Sequence, residues 1–195
     1  MILGAASQLP LAHASVVLSY DNGSLGGSLS DSTGNSAGVR FSLQSGWTGA
    51  KLLTARYDFD PGCSEVHSFT VLVLDSDHTT ALTASFSATP SSGGFFDVDL
   101  SSLNIIVTHD FFIGIQWQAN GVPCLGIDTG PSTGRSYDGA SPATWIAYSG
   151  NFIIRAVVDP ITPVIPEYPN GLPLLVGFML IAFAVIRRRT RNNLP

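Results

Sequence analysis

The chain is 195 residues long with a formal charge of −5, two cysteines and 45% hydrophobic residues, enough for one domain with an ordinary core. All fourteen acidic residues lie before residue 171, whereas four of the nine basic ones follow residue 186. Residues 1–170 therefore hold fourteen acids against five bases, a formal −9, and the end of the chain is +4. So acidic a body has no electrostatic footprint for nucleic acid, which is excluded as a partner.

Residues 1–14 have the outline of an export signal, here a truncated one. A mostly apolar stretch ends at Ala12-His13-Ala14, the small-x-small form that signal peptidase reads. No Lys or Arg precedes it, and Gln8 and Pro10 interrupt it.

Residues 15–158 read as one all-β ectodomain. Clusters of Gly, Ser, Thr, Asn, Asp and Pro recur at short intervals, and no window holds a helical period. The expected strands are 15–20, 37–44, 50–59, 67–75, 79–87, 95–99, 103–108, 111–118, 123–128, 143–148 and 151–158. Val39, Phe41 and Leu43 share one face; Leu53, Ala55, Tyr57 and Phe59 oppose Thr54, Arg56 and Asp58. Val71-Leu72-Val73-Leu74 is apolar on both faces, as a central strand would be. Many short strands without a repeat imply a single β-sandwich, jelly-roll-like. The Gly- and Ser-rich stretch 22–35 reads as a long loop.

Four sets of residues in this region bear on chemistry. Cys63 and Cys124 are each other's sole available partners and predict a disulfide in an exported chain. Asp58 with Asp60, and Asp75 with Asp77, each put two carboxylates on one side of an extended strand, about 7 Å apart, so that two converging pairs would begin a calcium site. Trp47, Trp145 and Tyr148 lie in turn-rich sequence and are candidates for stacking on a sugar face, with packing as the competing role; Trp117, in phase with Phe111, Ile113 and Ile115, belongs to the core. Catalysis finds no motif: Gly134-Arg-Ser-Tyr-Asp lacks the last glycine of a nucleophile elbow, and the histidines are scattered.

Residues 159–169 hold Pro160, Pro163, Pro166 and Pro169, a stiff stalk. Residues 170–186 form an uncharged segment whose apolar run, Gly171 to Ile186, spans about 24 Å as a helix, at the short limit for a hydrocarbon core of about 30 Å. Arg187, Arg188, Arg189 and Arg191, in the tail 187–195, then act as a stop-transfer cluster that stays cytoplasmic, which puts the acidic body outside. Pro166-Glu167-Tyr168, the apolar helix and the Arg-rich end together resemble the PEF-CTERM class of archaeal C-terminal sorting signals, with Tyr168 where the family has Phe. The resemblance covers about residues 166–193, and it implies an archaeosortase-type processing enzyme as a partner. More loosely, Asp128-Thr-Gly-Pro-Ser-Thr-Gly-Arg-Ser-Tyr with Trp145 and Asn151-Phe-Ile-Ile-Arg resembles β-sandwich modules of secreted prokaryotic proteins.

These readings predict a non-catalytic cell-surface protein in the cell membrane, with adhesion or contact with a surface glycan or envelope protein as its function and no cofactor beyond calcium. The alternatives are a carbohydrate-binding module and, third, an accessory domain of a secreted hydrolase. Exposure of Trp47, Trp145 and Tyr148 on one surface would favour glycan binding, and their burial the envelope reading.

Overall fold

A computed structural model describes residues 14–63 and 67–163. In chain order its strands are β1 (Val16–Leu18), β2 (Leu25–Leu29), β3 (Ser36–Phe41), β4 (Gly49–Phe59), β5 (Phe69–Asp75), β6 (Phe86–Ala88), β7 (Gly94–Asp99), β8 (Ile106–Val107), β9 (Phe111–Trp117), β10 (Leu125–Asp128), β11 (Ser136–Gly139), β12 (Ile146–Ala147) and β13 (Ile154–Ile161). Two short 3-10 turns, Ser101–Leu103 and Pro142–Thr144, complete them. One sheet runs β1-β13-β4-β10-β2, with β7 and β8 also paired to β4; the other runs β12-β11-β3-β9-β5-β6. Every pairing is antiparallel. All of these strands belong to the compact unit that ends at Thr162.

The two sheets close on each other because alternate side chains of the long strands are apolar. Val39 and Phe41 of β3, Ala55, Tyr57 and Phe59 of β4, Val71 and Val73 of β5, Ile113, Ile115 and Trp117 of β9, and Ile154, Ala156 and Val158 of β13 all lie in one core. Tyr57 meets the opposite sheet directly, its ring edge-on to Phe69 at 5.1 Å and its hydroxyl donating to the Gly114 carbonyl at 3.2 Å. Burial pushes the Tyr57 phenol well above its usual range. Trp117 is core, as its phase predicts, and its indole N–H donates to the Pro123 carbonyl at 2.8 Å.

Several expected strands are altered by local chemistry. The register between β4 and β13 shifts by one residue opposite Leu53, so Leu52 is buried and Leu53 is displaced from the inner face to which strict alternation assigns it. The expected strand 79–87 shrinks to β6, because the Asp77 carboxylate accepts the Thr79 and Thr80 N–H groups at 2.8 and 2.7 Å and turns the chain there. Expected strand 143–148 opens in the Pro142–Thr144 turn, closed by reciprocal Ser141 and Thr144 hydrogen bonds, and keeps only β12; expected strand 103–108 keeps β8 alone. Conversely, the stretch 22–35 holds β2, which pairs with β10, and β11 pairs with β3.

The double apolar face of β5 has its reason too. Val71 and Val73 face the main core, whereas Leu74 belongs with Phe112 and Trp145 to a second cluster, against which Leu72 and Tyr137 pack. At the other end of the domain β13 continues to Ile161, three residues into the Pro-rich stretch; the Ile161 carbonyl accepts the Thr48 N–H at 2.8 Å. Among the described residues no helix is long and apolar enough to cross a membrane. The export outline, the apolar segment at 170–186, Pro166, Glu167, Tyr168 and the Arg cluster lie outside them.

Candidate functional site

The three candidate stacking aromatics do not form a platform. Trp145 is only 7% exposed, and its ring lies against Gly38 of β3 and Gly114 of β9. A Cβ added at Gly38 would run into its ring, and one at Gly114 would stand 3.1 Å from Cη2. Its indole N–H donates to the Ser36 carbonyl and hydroxyl at 3.1 and 2.9 Å, and Phe112 and His78 flank it at 5.6 and 6.2 Å between ring centroids. Tyr148 stacks on Phe152 at 4.6 Å, and both Tyr148 and Trp47 are half-buried against the main core. Packing is therefore the role of Trp145, and no shared stacking surface includes the three.

The carboxylate pairs do not converge either. Asp58 and Asp60 belong to the first sheet and its margin, Asp75 and Asp77 to the end of β5 in the second. Asp60 accepts from Ser28 Oγ at 2.9 Å and from the Gly62 N–H at 2.7 Å. Asp75 takes the Ser76 N–H and lies 3.2 Å from His109 Nδ1. Hydrogen bonds from Thr80 and Thr79 hold the Asp77 carboxyl well below the usual range. Among the described residues no three His, Cys, Asp or Glu side chains are grouped to hold a metal ion.

The cysteines are joined. Cys63 and Cys124, 61 residues apart in sequence, form a disulfide with 5.9 Å between their Cα atoms. It ties the turn after β4 to the start of β10, where the Asp60 N–H also donates to the Cys124 carbonyl at 3.0 Å.

The Asp128–Tyr137 stretch is a latched loop. Asp128 accepts the Asn22 N–H at 2.8 Å, the Gly130 N–H at 2.9 Å and Asn151 Nδ2 at 3.0 Å; Asn151 Oδ1 in turn accepts the Thr133 N–H at 2.7 Å. Ser136, the serine of the incomplete elbow, is buried, and its Oγ accepts the Phe152 N–H at 2.9 Å. Every polar group named here is spent on holding the loop.

What remains is the outer face of the first sheet. Arg56 and Asp58 alternate with buried Ala55, Tyr57 and Phe59, so they point away from the core. Register sets Arg56 between Arg155 of β13 and Asp97 of β7, and sets Asp58 beside Phe95. Arg56 grips Asp97 with two parallel bonds, Nε to Oδ1 at 2.6 Å and Nη2 to Oδ2 at 2.7 Å. Arg155 holds Asp21, whose side chain is wholly buried, and stacks its guanidinium 4.7 Å over the Phe95 ring. Phe95 is 51% exposed. Asp58 is 7% exposed, and although its backbone N–H donates to the Ile153 carbonyl at 2.9 Å, its carboxylate makes no hydrogen bond or ion pair among the described residues. Burial raises its carboxyl above the usual range; Arg155 opposes that rise, and the charges of Asp21 and Asp60 add to it.

The sequence marks Asp58 for a different role, in a calcium pair, and assigns no site role to Phe95, Arg56, Arg155 or Asp21. The legible signal was the Gly94-Phe95-Phe96-Asp97 order, which must turn one phenylalanine outward in any strand.

No protein-family model and no curated protein matches the chain. A solved structure of the cysteine protease and lectin-like domains of Cwp84, a surface layer associated protein of Clostridium difficile, is similar over 65% of this chain and 32% of its own, at 17% identity and a TM-score of 0.48. The chain thus spans about a third of that structure's length, and so distant a likeness assigns no residue and no activity here.

Proposed function

We propose that the chain is a non-catalytic cell-surface protein, exported and held at the membrane by its C-terminus, that works in adhesion or in contact with other envelope components. The observation that carries this reading is the Cys63–Cys124 disulfide, a bond that persists in oxidising compartments outside the cytoplasm. The formal −9 before the apolar segment and the arginines after it support the same topology. The sandwich is of jelly-roll type: β1, β13, β4 and β7 in one sheet and β3, β9, β5 and β6 in the other alternate along the chain as two interleaved Greek keys do. The non-catalytic reading rests on Ser136 being sequestered as a hydrogen-bond acceptor. Carbohydrate binding is the second reading, favoured by the exposed Phe95 beside Asp58.

Pro166-Glu167-Tyr168, flanked by Pro163 and Pro169, gives a processing enzyme an extended substrate just outside the bilayer, because proline keeps this backbone out of a helix. Intact mass of the membrane-extracted protein is expected to end near residues 166–168 and to carry a new membrane attachment there. A membrane-bound species that retains Arg187 to Arg191 means a plain transmembrane anchor. Full-length protein found only in the soluble fraction would overturn the anchoring altogether.

A further inference from the structure

We propose that Asp58 and Phe95 form a binding site for an uncharged saccharide on the outer face of the first sheet, a proposal that gives a ligand class to the surface role above.

Asp58 is the exception among the buried polar side chains of the described residues. Ser36, Asp128, Ser136 and Asn151 all have hydrogen-bond partners. Asp58, in a chain with only five basic residues in its body, has none. A carboxylate that loses water without gaining a donor costs stability, so its presence calls for a reason outside folding. Among the described residues no wholly enclosed side-chain oxygen or nitrogen lacks a partner, which means the Asp58 oxygens still open on solvent from a recess. A ligand can reach them.

The surroundings define what that ligand is. Phe95 stands beside Asp58 across the β4–β7 pair. On the other side Gly126 leaves the backbone bare, and a Cβ there would come within 2.9 Å of Leu25 Cδ1, which places the 39% exposed Leu25 next to the same recess. The recess is therefore an acceptor flanked by two apolar surfaces. Its charges are already matched, Arg56 with Asp97 and Arg155 with Asp21. A cation meets two guanidiniums already placed over the Phe95 ring, Arg155 at 4.7 Å and Arg56 at 5.9 Å from its centroid, and an anion meets Asp58 backed by Asp21 and Asp60. A divalent metal lacks the six or more oxygens it needs, since no three ligating side chains gather among the described residues. A neutral pyranose satisfies every term, with hydroxyls to donate to the carboxylate and a C–H face to lie on the exposed part of Phe95.

The test uses the full chain in detergent micelles and titrates it by calorimetry with neutral hexasaccharides of glucose, galactose and mannose, with a hexauronate and a glucosamine hexamer as charged controls. Saturable binding of at least one neutral probe, and of neither charged one, is expected. Asp58→Asn and Phe95→Ala should each weaken it by at least about tenfold, as loss of a charge-assisted bond or a stacking face does. Asp58→Asn should at the same time leave the melting temperature unchanged or raise it. Binding of no neutral probe, preference for a charged one, full binding by both variants, or a fall in melting temperature with Asp58→Asn would each overturn the site. If binding fails while Lys51 is still labelled on intact cells by an amine-reactive ester that does not cross membranes, the site is wrong and the surface reading stands.

Discussion

Replacing Trp145 with alanine lowers the stability of the sandwich by about 3–5 kcal/mol, the range for truncating a buried Trp or Phe. The indole covers Gly38 and Gly114, fills the second apolar cluster with Phe112 and Leu74, and satisfies its N–H on Ser36, so its removal leaves both a cavity and lost contacts over two strands. Neighbouring side chains cannot collapse into that space, because the floor is main chain. Denaturant unfolding of the variant measures the loss directly, and a change below about 1 kcal/mol would return Trp145 to the set of ligand-stacking residues.

Reduction, or the double substitution Cys63→Ser with Cys124→Ser, costs about 4 kcal/mol on the chain-entropy estimate for a loop of 61 residues. That corresponds to a melting temperature roughly 10 °C lower for a domain of this size. The effect is concentrated where the bond lies: β10 and β2 are joined to β4 at that margin through Leu125 opposite Phe59 and the Asp60–Cys124 hydrogen bond. Alkylation without reduction should label neither cysteine. Thermal unfolding that is the same with and without reductant would show that the bond contributes nothing.

The parts of the fold legible in the sequence are those in which one strand face is apolar and continuous. β3, β9 and β13 show their inward residues by alternation alone, and Trp117 follows from its phase with Ile113 and Ile115. The exceptions have specific physical causes. β2 is Leu-Gly-Gly-Ser-Leu, exposed along most of its length, and its identity as a strand comes from the backbone of β10 rather than from side chains of its own. Leu53 leaves the inner face because one extra residue in β4 resets the alternation, and a single sequence does not say where a bulge falls. Trp145 looks exposed from its turn-rich neighbours, but its environment is built from Gly38 and Gly114, far away in the chain. Lone glycines inside strand patterns are themselves a sign of close approach, and that was the signal available. The candidate site was partly visible. The sequence marks the Asp58 carboxylate only as half of a calcium pair, whereas its neighbour Phe95 depends on the β4–β7 register, and its lack of a partner depends on Arg155 choosing Asp21.

The central claim is that residues 14–163 work outside the cell, and the chain offers one built-in reporter. Lys51 is its single lysine, half-exposed on the outer face of β4 with its Nζ donating to Asn104 at 2.8 Å. An amine-reactive ester that does not cross membranes, applied to intact cells and followed by peptide mass spectrometry, reads its location. Labelling of Lys51 on intact cells to the same extent as in a lysate is the predicted result; labelling that appears only after lysis would contradict the account.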